Sequence, residues 1–98
     1  MKFRKLLFNR VRGEDGCIIK MRVFRGFCEY REGDHVAIVP VEPVIGQPLV
    51  RLNVNTPIVW REPFAREALD EEYRSRIITR VAEALKFSNC RIEMVTSR

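Results

Sequence analysis

A single histidine, His35, and three cysteines, Cys17, Cys28 and Cys90, are all that this sequence offers to metal or thiol chemistry. One histidine excludes any multi-histidine metal site. Three cysteines without CxxC spacing exclude the dense, even framework of a disulfide-stapled domain and predict reduced, mostly buried thiols. No apolar run approaches the roughly 20 residues that a membrane-spanning helix needs. Met1 to Arg10 begins with basic residues as a signal peptide does, but its apolar stretch Leu6-Leu7-Phe8 stops after three residues. An unexported, cytoplasmic chain with no membrane partner is therefore expected. Neither GxGxxG nor GK[ST] occurs, so a glycine-rich phosphate cradle is missing. Repeats, low-complexity stretches and linkers are missing too, which leaves one domain over residues 1–98.

What is present is charge and arginine. The 98 residues are 46% apolar and 32% charged, the balance of a globular chain. Eighteen Lys and Arg face 13 Asp and Glu, a net charge of +5 spread evenly along the sequence. Fourteen of the 18 basic residues are Arg, which pairs bidentately with carboxylate or phosphate where Lys does not. An arginine-rich genome would give the same excess, so composition alone leaves the partner open.

The first 60 residues read as strands. Phe3 to Phe8 is a short apolar-basic strand, followed by the turn Gly13-Glu14-Asp15-Gly16. In Cys17 to Phe24, Ile19, Met21 and Val23 alternate with Lys20 and Arg22. Phe27 to Tyr30 and His35 to Val39 continue the pattern around the turn Glu32-Gly33-Asp34. Connections this short fit only antiparallel neighbours. Pro40, Pro43 and Pro48 confine the next stretch to an edge or a loop. Leu49 to Val54 is a further strand candidate, and Ile58-Val59-Trp60 a short last one before the helix.

One amphipathic helix is predicted over about 71–87. Asp70 is a suitable N-cap, and Glu71 and Glu72 place negative charge on the first turn. Tyr73, Ile77, Ile78, Val81, Ala82 and Leu85 form one apolar stripe. Asp70 with Arg74 and Glu72 with Arg76 are spaced as ion pairs, which assigns Arg74, Arg76 and Arg80 to the wet face. Asn89 suits a left-handed close, and Cys90 to Val95 alternates as a C-terminal strand. The expected fold is α+β: five to six short strands, mainly antiparallel, with the helix packed on them.

No catalytic set emerges. Asp34 and His35 are adjacent, which on a strand points them to opposite faces, and Cys17, Cys28 and Ser75 sit in no nucleophile elbow. The acidic pairs fall in turns or at the helix start, where structure explains them. The chain is expected to be no enzyme, with no metal and no cofactor. Arginines interleaved with Phe3, Phe8, Phe24, Phe27 and Tyr30 could serve single-stranded RNA. The lack of an RNP pattern, a GxxG loop or a helix-turn-helix argues against direct nucleic-acid binding.

The block Trp60-Arg61-Glu62-Pro63, Leu69-Asp70-Glu71-Glu72, Ile77/Ile78, Val81, Leu85 and Ile92-Glu93-Met94 resembles small immunity proteins. These belong to bacterial polymorphic-toxin and contact-dependent growth-inhibition systems, where a W-x-x-P element precedes one helix and a final strand. The resemblance covers residues 60–95. It implies a cytoplasmic, non-enzymatic inhibitor that binds one cognate toxin domain, commonly a nuclease, and covers its active site or substrate route. The candidate toxin-binding residues are Arg61, Glu62, Arg66 and Glu67, which are charged, bounded by Pro63 and free of core periodicity. Many such inhibitors are acidic, so a chain at +5 implies either an acidic toxin surface or a local acidic patch that acts despite the net charge. The alternative is a small RNA-binding or regulatory α+β domain.

Overall fold

In the computed structural model, which describes residues 1–96, the strand pattern builds a five-stranded antiparallel meander. Its strands are β1 (Phe3–Lys5), β2 (Arg10–Gly13), β3 (Ile18–Arg22), β4 (Phe27–Glu32) and β5 (His35–Pro40), hydrogen-bonded in chain order. A second sheet holds β6 (Glu42–Pro43), β7 (Leu49–Asn53) and β8 (Arg91–Val95). The helix α1 (Glu71–Phe87) lies between β7 and β8 in sequence, and those two strands pair in parallel. A crossover helix is what lets a chain return in the same direction, so the C-terminal strand has a parallel partner while the meander has none.

The inner face of the meander carries Val11, Ile19, Cys28, Tyr30, Ala37 and Val39, all buried. Register stacks them: Val11 faces Ile19, Ile19 faces Tyr30, and Tyr30 faces Ala37. Ile77, Ile78, Val81, Ala82, Ala84 and Leu85 of α1 close over this layer, joined by Val50 and Leu52 of β7. Asp70 caps the helix as expected, its carboxylate accepting the Tyr73 N–H at 2.7 Å. Asn89 takes the left-handed conformation after the helix, with φ of 68°.

Four local expectations are corrected. Strand β1 ends at Lys5 rather than Phe8, because Phe8 and Asn9 both adopt left-handed backbone and turn the chain. Ile58 to Trp60 makes one isolated bridge, Trp60 to Ala37, instead of a strand. Asp70, occupied as the cap, leaves Arg74 to pair with Glu71, and Arg74 also donates to the carbonyls of Val54 and Thr56. Arg80 is half-buried rather than wet. It donates to the Tyr30 hydroxyl at 2.6 Å, pairs with Glu32 at 3.3 Å and with Asp15. Only Arg76 behaves as read from the sequence, exposed and paired with Glu72 at 3.8 Å.

The Glu32 carboxylate is therefore a junction. It accepts from Tyr30 of its own strand at 2.6 Å and from Tyr73 of the helix. Asp15 joins through Arg80. Burial pushes the Asp15 carboxyl up, but hydrogen bonds from Cys17 and the Arg80 charge outweigh it and hold the group below its ordinary value. A carboxylate with a lowered native pKa adds stability above its unfolded value, about 3.9, and loses it as pH falls through the native value. Asp15→Asn should accordingly flatten the acid limb of a stability-against-pH curve while leaving its shape above pH ~5 unchanged.

Urea denaturation should rank three further variants. Leu85→Ala, at a fully buried position, is expected to cost about 2–5 kcal/mol. Arg80→Ala leaves polar partners short of a donor and should cost about 1–3 kcal/mol. Arg76→Ala, in an exposed pair, should cost about 0–1 kcal/mol. An Arg76 cost above that of Leu85 would overturn the assignment of the helix faces.

Candidate interaction surface

Because strand neighbours alternate, the residues between the core positions of the meander share its outer face. Register sets them in rows. Arg4, Arg12, Ile18, Arg31 and Val36 lie opposite one another across all five strands. The next row is Arg10, Lys20, Glu29 and Ile38, and beyond it come Arg22, Phe27 and Pro40. Six cations thus share one sheet face with one acid. Among the described residues none of the six forms an ion pair. Two pairs of cations, Arg4 with Arg12 and Arg10 with Lys20, stand directly opposite each other, an arrangement that destabilises a sheet.

The candidate segment around Arg61, Glu62, Arg66 and Glu67 lies beside the β5 edge of the meander. The Arg61 N–H donates to the Val36 carbonyl at 2.7 Å, beside the Trp60 bridge. His35 stacks on Phe64 with ring centroids 3.7 Å apart and meets Trp60 edge-on at 5.0 Å. All four candidates are exposed. Among the described residues Glu62 and Arg66 form no ion pair, whereas the other two have partners. Arg61 reaches Glu29 at 3.7 Å, and Glu67 meets His35 Nε2 at 2.9 Å. Arg61 thereby engages the one acid of the outer rows. Trp60 is buried and works as packing.

The sequence shows the arginines of the outer face interleaved with aromatics, but that they share one face escaped a residue-by-residue reading because they are scattered over four strands. The signal that could have found it was the register, since pairing the alternating strands through their short turns aligns the basic positions.

The other chemistry-bearing side chains have structural settings. Cys17 and Cys28 are buried and Cys90 is half-buried, all as free thiols. Burial raises Cys17 to about 11, helped by the Asp15 hydrogen bond, and Cys28 to about 12. Cys90 is raised by burial as well. Among the described residues no group of three His, Cys, Asp or Glu is placed to hold a metal ion. No described helix is long and apolar enough to cross a membrane.

Comparison with protein families, curated proteins and solved structures finds no match for this chain.

The thiol settings have a direct consequence. Alkylation requires thiolate, which a raised pKa withholds at neutral pH. At pH 8, iodoacetamide should modify native Cys17 and Cys28 at least ~100-fold more slowly than the urea-unfolded protein. Fast native labelling, followed by mass spectrometry, would contradict the burial.

Proposed function

We propose that this chain is a non-enzymatic inhibitor of the immunity-protein kind, which binds a cognate toxin domain through the outer face of its five-stranded sheet. The observation that carries the reading is the opposed cation pairs, Arg4 with Arg12 and Arg10 with Lys20, on a face with no compensating acid but Glu29. Like charges directly opposite each other cost the free protein stability. An acidic partner surface removes that repulsion and replaces it with attraction. Toxins that act as nucleases through divalent cations hold them with carboxylates, which an arginine-rich face complements. The resemblance over residues 60–95 supports the same partner. Of its candidate residues Arg61 reaches the face through Glu29, and Glu62, Arg66 and Glu67 are exposed beside the β5 edge.

The RNA-binding alternative would use the same cations for phosphate but needs exposed aromatic rings for stacking. Phe8 and Phe24 are exposed, but both stand in turns off the basic rows. Phe3 and Tyr30 sit on the inner face, so within the rows themselves Phe27 is the one ring set among the cations. That supports a protein partner.

The test is a pair of titrations, one with the toxin domain encoded beside this gene and one with unrelated RNA. The toxin domain should bind one to one with a nanomolar or tighter Kd and lose its activity without turnover. Reversing two charges, as Arg12→Glu with Lys20→Glu, should slow association at least ~10-fold at low salt and flatten its salt dependence. Strongly salt-dependent binding to RNA, with none to the toxin domain, would overturn the reading.

A further inference from the structure

The core is left open at one end. Between the β1–β2 turn, the β6–β7 turn and the C-terminal end of α1 lies a groove of about 840 Å³. Its floor is the core itself, with buried Val11, Val50 and Leu85 and half-buried Met21 and Leu49. Among the described residues, Lys5 and Arg10 are the only charged ones lining it, and neither forms an ion pair.

Three separate turns surround this groove, and each carries a large apolar side chain where turns ordinarily place polar ones. Ile45 sits in the four-residue turn closed by the Gln47 N–H on the Val44 carbonyl, with left-handed Gly46 beside it. It is 98% exposed. Phe24, in the middle of the single-turn 3₁₀ segment Val23–Arg25, is 99% exposed. Leu7 and Phe8 stand in the β1–β2 turn, between the lining residues Lys5 and Asn9, and are also largely exposed. Two of the most exposed apolar side chains, Phe24 and Ile45, thus line one apolar groove, and Leu7 and Phe8 stand in the turn beside it. A small molecule seated on the floor would leave Phe24 and Ile45 in water, whereas a protein surface covers both. A second copy of this chain would bring Lys5 and Arg10 against Lys5 and Arg10, which repel. RNA has no aliphatic group to fill the floor.

We infer that the groove is the anchor site for the toxin domain, taking an apolar side chain flanked by carboxylates that meet Lys5 and Arg10. This rests on the inhibitor reading above and divides the labour within it. The groove adjoins the basic face at Arg10, so one partner can touch both. Charges on the face speed encounter, and the buried apolar anchor holds the complex once formed.

Surface plasmon resonance with the neighbouring toxin domain separates the two roles, using Phe24→Asp and Ile45→Asp, whose fully exposed positions leave the fold intact. Each should weaken affinity at least ~30-fold, chiefly through faster dissociation, while Arg12→Glu acts chiefly on association. Equal melting temperatures confirm that folding is unchanged. If the parent binds and both groove variants bind within ~2-fold of it, the anchor site is refuted and the inhibitor reading stands. A parent that fails to bind overturns both. Sedimentation of a parent dimer that Ile45→Asp dissolves would assign the groove to a second copy instead.

Discussion

Side chains along a strand must alternate between the two faces of a sheet, and the meander uses that constraint twice. Inner positions such as Val11, Ile19, Cys28, Ala37 and Val39 are apolar and buried, whereas the outer positions carry the cations from Arg4 to Arg31. A slip of one residue in any pairing would send arginines into the core and isoleucine into water, so burial of one face pins the register of the other. The basic rows are thus held in line by the hydrophobic effect acting on the opposite side of the same backbone. Opposed cations can persist there because the apolar layer beneath offsets their repulsion.

The helix completes the inner layer, and the Glu32 junction orients it. Tyr73 and Arg80 reach down from α1 to a carboxylate on β4, and Arg80 continues to Asp15 in the β2–β3 turn. Apolar packing alone is tolerant of sliding, whereas hydrogen bonds and charge pairs demand particular atoms at particular distances. With the helix so placed, its C-terminal end stands clear of the β6–β7 turn. The groove opens in the space between them, next to the arginine face.

Much of this was legible in the chain. Asp70 as cap, the stripe from Ile77 to Leu85, Asn89 as the left-handed stop and the edge role of the proline-rich stretch all follow from local chemistry. The misread residues were those with local and distant partners in competition. Arg74 and Arg80 have the spacing of surface cations but find carbonyls, a hydroxyl and carboxylates 18 to 65 positions away in sequence. Arg61 and Glu67 carry no periodicity, yet Glu29 and His35 wait beside them on the sheet. In the loop with the strongest motif, Trp60 to Pro63, the tryptophan is a packing residue and the other three are exposed. The basic face, spread over four strands, had no motif at all.

The sequence by itself determined what depends on neighbours within a few residues: the α+β class, the helix and its cap, and the short-turned meander. Periodicity and capping are local, so they survive reading one residue at a time. Tertiary structure alone decided which cations share a face, which arginines are held and which turns crowd one groove. Those outcomes depend on register and on the angle of the helix. Both are set by packing among residues far apart in the chain, where no spacing along the sequence records them.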